Sequence, residues 1–156
     1  MFLRERIYRF MGWKEQIERE ARTVLKSNME AAVAYARKSL TERFSRGRGA
    51  ERVFPPYSRT HRYRREREGL QTGVKDVWFS GKMIGSIRED WKEDADGIRV
   101  DLDFSGMANR RKDQKDNPSN RDIAVYFEKK QGQKLLKLSQ EEKNFIQTMY
   151  SIRVDD

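Results

Sequence analysis

The chain has 156 residues, with 34 Lys and Arg against 25 Asp and Glu, a formal net charge of +9. Charged residues make up 38% of it and apolar ones 36%, so the core is lean and much of the chain stands at a wet surface or against partners. With no Cys and a single His, His61, it has no disulfide framework, thiolate nucleophile, Cys-based zinc site or two-His acid–base pair.

The opening MFLRERIYRFMG carries charges throughout and lacks the apolar stretch of a secretory signal. No apolar run approaches the ~20 residues that span a bilayer, so no membrane role and a soluble, intracellular origin are expected. Residues 1–12 read as an N-terminal arm or a short helix broken near Gly12. Residues 13–156 read as one α+β domain. From Trp13 the apolar positions Ile17, Ala21, Val24, Leu25, Met29, Ala32, Val33, Ala36, Leu40 and Phe44 recur at spacings of three and four, the period of an amphipathic helix. Glu15–Arg19 and Glu18–Arg22 are expected to pair along it. Gly47 and Gly49 end it, giving a helix over 13–46 that projects from so small a body.

Residues 45–68 form a basic loop and helix. SRGRGAERVFPP is a loop, and Tyr57 to Glu68 is a short helix with Ser58 as N-cap. Residues 37–67 hold eleven Lys and Arg against three Glu, which is +8 of the chain's +9. All but one of those cations are Arg, whose planar fork suits phosphate and carboxylate. Arg43, Arg46, Arg48, Arg52, Arg59, Arg62, Arg64 and Arg65 form the candidate patch, facing DNA, an acidic partner or a neighbouring subunit. Trp13, Ile17, Phe54 and Tyr57 are the candidate subunit-interface residues.

Val77-Trp78-Phe79 is strand-prone, and Met83, Ile84 and Ile87 suggest one helical turn. Ile98, Val100, Leu102 and Phe104 alternate with polar residues after Asp96-Gly97, the pattern of a hairpin over 87–104. Residues 105–120 read as an exposed loop. Residues 121–131 read as a helix with Ile123, Tyr126 and Phe127 inward, stopped by Gly132. Lys134 to Leu138 reads as an edge strand. Ser139-Gln140-Glu141-Glu142 is a capping box opening a last helix whose buried face is Phe145, Ile146, Met149 and Ile152. The expected fold is α+β, with the long N-terminal helix and the C-terminal helix packed on a small antiparallel sheet.

Chemistry is sparse. No Gly-x-Ser-x-Gly elbow and no phosphate-binding Gly-x-x-x-x-Gly-Lys-Ser/Thr loop occurs. His61 lies between arginines that weaken it as a base. Asp101 and Asp103, with Glu93, Asp94 and Asp96 before them, read as solubility residues on a wet strand face. No cofactor and no metal is expected.

The stretch from Phe54 to Ile87 is the most specific. FPPYSRTHRYRR followed by GVKDVWFSGKMIGSI resembles the pattern F-x-P-Y-S…Y…R/K and V-x-L-(T/S)-G-x-M-(L/I)-x-S-I of the tail-component and tail-completion proteins of tailed bacteriophages. Lys134-Leu135-Leu136-Lys137-Leu138-Ser139 and the capped helix follow in that family's order, so the resemblance runs over residues 13–150. Phe79 replaces the family's usual Leu, and Glu128 to Gly132 replaces a compact Phe-Gly. The resemblance implies a non-enzymatic virion structural protein of the head–tail neck: a tail terminator, connector or tail-completion piece. It also implies a homo-oligomeric ring that is assembled in the host cytoplasm. Its partners would be other neck, portal-adaptor or tail proteins, with packaged double-stranded DNA in the lumen. The alternative from composition alone is a basic protein that binds nucleic acid without sequence preference.

Overall fold

A computed structural model describes residues 2–70, 72–73, 82–94, 97–107 and 118–154. Helix α1 spans Phe2–Ser45, 44 residues in one unbroken run and ~66 Å long. It passes through Gly12 without a break, so the segment expected to be a separate arm is the first three turns of the same helix. Among the described side chains, its C-terminal part supplies the residues that enter the core. Met29, Ala32, Val33, Ala36, Leu40 and Phe44 are buried, whereas residues 12–27 are exposed throughout. That exposed stretch alone is ~24 Å of helix standing clear of the core.

At the C-terminus of α1, Gly47 adopts φ 69° and its N–H donates to the Phe44 carbonyl at 3.0 Å. A tight reversal follows, in which Arg48 and Val53 form a two-residue bridge and Gly49 N–H donates to the Arg52 carbonyl at 2.8 Å. It delivers Phe54 into the core between Phe44 (6.4 Å) and Phe127 (5.3 Å, edge-on). Helix α2 is Arg59–Arg67; Ser58 occupies its N-cap position but its hydroxyl makes no capping bond.

A single turn, α3 (Lys82–Gly85), buries Met83 and Ile84 and leads into β1 (Ile87–Glu93), which pairs antiparallel with β2 (Ile98–Phe104). The register sets Ile87 opposite Phe104, Glu89 opposite Leu102, Trp91 opposite Val100 and Glu93 opposite Ile98. That face turns to α1, and the alternation read from the sequence is the observed one. The strand-prone triplet at 77–79 lies outside the described residues.

Helix α4 spans Asn120–Gln131. Ser119 and Asp122 form a capping box at its start, and Gly132 ends it at φ 64°. Helix α5 spans Gln140–Tyr150, with Ser139 and Glu142 as its capping box. The core falls into two clusters. One gathers Leu40, Phe44, Phe54, Ile87, Phe104, Ala124 and Leu135; the other gathers Met29, Ala32, Ala36, Ile146 and Ile152.

Three expectations are corrected. Residues 134–138 form no strand: Leu135 N–H donates to the Glu128 carboxylate (2.8 Å) and the Lys137 carbonyl accepts from Arg43 (2.7 Å), so the backbone is satisfied by side chains rather than a ladder. Tyr126 is 67% exposed, because α4 turns Ala124 inward with Ile123 and Phe127 at its edges. Phe145 and Met149 are 39% and 62% exposed, because Glu142 and Ile146 take the inner line of α5. The α+β architecture itself, a long N-terminal helix and a C-terminal helix with a small antiparallel sheet, is as expected.

Candidate interaction surfaces

The eight candidate arginines divide into structural and exposed sets. Arg43 is nearly buried. Its Nη1 donates to Glu142 Oε2 and its Nη2 to the Lys137 carbonyl. The same Glu142 carboxylate accepts from the Ser39 hydroxyl and, at 2.6 Å, from Ser139 N–H. One acid therefore caps α5, neutralises Arg43 and joins α1 to α5. Burial pushes the Arg43 guanidinium below its usual value, and Glu142 works in the opposite direction.

Arg52 reaches across to the end of α4, where its Nη2 donates to the Gln131 carbonyl (2.5 Å) and the Gly132 carbonyl (3.1 Å). It locks the 48–53 reversal onto the α4 terminus, whose last carbonyls lie beyond the reach of the helix's own amides. Arg65 is 1% exposed, with its guanidinium 4.7 Å above the Tyr57 ring. His61 stacks on that same ring at 5.0 Å, so α2 is fastened through Tyr57 by positions 61 and 65 of one helix face. Arg43 and Arg65 thus leave the surface patch. Their charge sits inside the fold because each found a partner there.

Arg46, Arg48, Arg59, Arg62 and Arg64 are exposed. Arg64 makes an i,i+4 contact with Glu68 at 3.7 Å, solvated and weak. Arg46 and Arg48 stand on the wall of an open groove of ≈ 720 Å³ between the C-terminal half of α1, the 48–53 reversal and the start of α5. Tyr35, Val53 and Phe145 supply its apolar surface. Tyr35 and Phe145 stack face to face with centroids 4.3 Å apart.

Of the four interface candidates, Phe54 and Tyr57 belong to the core. Each is drawn in by its aromatic or cationic neighbours, so neither is free to meet a subunit. Trp13 and Ile17 are exposed, at 61% and 45%. Sequence reading omitted Val24 and Leu25 from this set, although both are exposed and lie on the same stripe. Their three-and-four spacing with Ile17 is the signal that places them on this stripe. The expected Glu15–Arg19 and Glu18–Arg22 pairs do not form. Lys14 lies 3.8 Å from Glu18, Gln16 donates to Glu20 at 2.9 Å, and Arg22 lies 3.7 Å from Glu93 of β1.

Among the described residues, Asp90, Asp101 and Asp103 of the hairpin are engaged by cations. Lys92 meets Asp101 (3.0 Å) and Asp90 (3.1 Å), Arg99 meets Asp101 (3.0 Å), and Arg121 meets Asp103 (3.3 Å). Hydrogen bonds from Lys92 and Arg99 hold the Asp101 carboxyl below its ordinary value, and those to Asp101 and Asp90 raise Lys92. Among the described residues no group of three or more His, Asp or Glu is gathered in a way that could hold a metal ion, and no helix is long and apolar enough to cross a membrane. No protein-family model matches the chain, and no curated protein or solved structure is similar to it.

Proposed function

We propose that the chain is a non-enzymatic structural component of a tailed-phage head–tail neck or tail-completion complex, acting as one subunit of a closed ring around the DNA channel. The observation that carries this reading is the N-terminal part of α1. Residues 12–27 stand clear of the core and expose Trp13, Ile17, Val24 and Leu25 along one helix. An apolar stripe of this kind on a projecting helix suits burial against another protein surface. The likeness of the Phe54–Ile87 and Lys134–Ser139 motifs to tail-completion proteins supports the phage assignment. A contact between different surfaces of identical copies closes into a ring when its rotation closes.

The exposed Arg46, Arg48, Arg59, Arg62 and Arg64 favour a second reading, a basic protein that holds duplex DNA through its phosphates. Mass measurement of the purified chain, with and without duplex DNA at two salt concentrations, separates the two. The ring reading predicts a closed oligomer that forms without DNA at micromolar concentration. A monomer that binds DNA with a steep salt dependence would replace it with the second reading.

A further inference from the structure

The face that α1 offers to α5 continues past the end of α5. Asn28 Nδ2 donates to the Tyr150 carbonyl at 3.4 Å, Tyr35 stacks on Phe145, and Ser39 donates to Glu142, so residues 28–39 of this face are covered by α5. Stepping back by threes and fours from Asn28 gives Val24, Leu25, Ala21 and Ile17, all exposed. A packing face made for a helical partner therefore runs on into solvent.

At ~100° per residue this stripe is bordered by Gln16, Glu20 and Ser27 on one edge and by Lys14 and Glu18 on the other. The basic Arg19, Arg22 and Lys26 lie toward the back of the helix, and Arg22 reaches Glu93 of the hairpin. Residues 12–27 hold four cations and three acids. Such a balance gives little attraction for a phosphate backbone, whose binding depends on concentrated positive charge. It suits a protein surface of mixed sign.

One such surface is present on the chain itself. The groove beside α5 has apolar surface from Tyr35, Val53 and Phe145 and is lined also by Arg46 and Arg48 and by the acids Glu42 and Glu141. Among the described residues Arg46 and Arg48 make no ion pair, whereas Glu51 is held by Lys137 at 3.1 Å and Glu142 by Arg43. Glu20 on one edge of the stripe suits Arg46 and Arg48, and Lys14 on the other edge, 3.8 Å from Glu18, suits Glu141. A volume of ≈ 720 Å³ accommodates the exposed side of about two to three turns of a ~10 Å-wide helix.

We propose that the exposed stripe of α1 in one copy docks into the Tyr35–Val53–Phe145 groove of the next copy, with Glu20 against Arg46 and Arg48. This rests on the ring reading and deepens it by naming both halves of the subunit contact. In the head-to-tail arrangement that the ring reading requires, the contact passes from copy to copy, whereas a reciprocal exchange of stripes between two copies would stop at two.

The chain has no cysteine, so introduced thiols report contacts without background. Val24→Cys and Val53→Cys, singly and together, are treated with a short bis-maleimide in the full-length protein. The double variant is expected to give a ladder of dimers, trimers and higher species, and neither single variant is expected to crosslink. Dimers from Val24→Cys alone would mean that stripes pair with each other and would overturn the proposal. An oligomeric unaltered chain whose double variant does not crosslink would sink the groove assignment and leave the ring reading standing. A monomeric unaltered chain would refute both. As an independent check, Glu20→Arg is expected to reduce the oligomer to single chains and Arg48→Glu in that background to restore it. Both residues are exposed, so unchanged circular dichroism confirms that folding is intact. A Glu20→Arg oligomer of undiminished size would also overturn the proposal.

Discussion

The Arg43–Glu142 pair separates two accounts of the basic segment. If Arg43 belonged to a surface patch, its replacement would change stability by no more than ~0.5 kcal/mol. The structure instead leaves only 10% of its side chain and 9% of the Glu142 side chain exposed, with Glu142 also receiving Ser39 and the Ser139 amide. Arg43→Leu removes the cation and leaves a buried carboxylate with its charge unbalanced. Such half-removals cost ~3–5 kcal/mol, a large part of the ~5–15 kcal/mol that holds a domain together. Glu142→Gln keeps an acceptor suited to the capping box but strands the guanidinium, so it is expected to cost less than Arg43→Leu while remaining well above a surface change. The double variant Arg43→Leu with Glu142→Leu removes both charges. It is expected to recover part of the loss, because an apolar pair avoids the desolvation that the ions incur. Urea unfolding is the assay. With a slope of ~2 kcal/mol per molar, Arg43→Leu shifts the midpoint by ~1.5–2.5 M. A shift below ~0.3 M would mean that Arg43 is solvated, and the assignment of this arginine to the interior would be withdrawn.

Leu40→Ala, at a fully buried position, is expected to cost ~2–5 kcal/mol, whereas Met149→Ala on the outer side of α5 is expected to change the urea midpoint little; similar losses at both would contradict the packing of α5. Gly132→Ala places a Cβ 2.7 Å from Arg52 Nη2 at a residue with φ 64°. The left-handed backbone is expected to cost ~1 kcal/mol, with little added by the guanidinium because it is the movable end of its side chain, and a neutral result in thermal unfolding would contradict the left-handed end of α4. The Asp101 carboxyl is lowered by hydrogen bonds from Lys92 and Arg99, and Asp122 by the Ser119 hydroxyl and amide. Both are depressed in the folded state, so their contribution is present above the ordinary value of 3.8 and is lost as pH falls through their lower folded values. Lys92 is raised above 10.5 by Asp101 and Asp90, so its contribution is complete below 10.5 and is lost as pH rises through its higher folded value. Side-chain titration by NMR that places Asp101 and Asp122 at or above 3.8 would contradict these contacts.

Period and punctuation made most of the elements legible. The three-and-four spacing of α1, the strict alternation of β2 and the S-x-x-E before α5 each carry a local physical signal, and each appears at the expected place. The start of α4 shows how a weaker version of the same signal was passed over. Ser119 and Asp122 form a capping box with Asp in place of the usual Glu or Gln, inside a segment dominated by loop-like Asn-Pro and Ser-Asn. Depth along a helix was not legible. Ile17 and Leu40 sit on equally regular positions, yet one is exposed and the other is not, because the body begins only at Met29. Nor was the fate of 134–138, whose backbone bonds go to Glu128 and Arg43 from distant parts of the chain.

The arginines carry the same lesson into function. One composition signal, a run of positive charge, covers three physical situations: Arg43 neutralised by an acid, Arg52 and Arg65 spent on carbonyls and an aromatic ring, and Arg46, Arg48, Arg59, Arg62 and Arg64 left at the surface. A guanidinium is weakly hydrated and planar, which is what allows it to serve inside as well as outside. Counting charges therefore overstates the surface available to DNA or to an acidic partner, and that surface is smaller than eleven cations imply. What is left is divided between α2 and the groove wall. The two groups need not share a role: the exposed α2 arginines stand on the outer side of a helix of about two and a half turns, while Arg46 and Arg48 edge an apolar trough. Charge beside exposed apolar surface is the mark of a protein contact, where the apolar area supplies the driving force and the charge sets orientation. On the docking proposal, Arg46 and Arg48 would serve subunit assembly, and contact with the phosphates of DNA would fall to Arg59, Arg62 and Arg64.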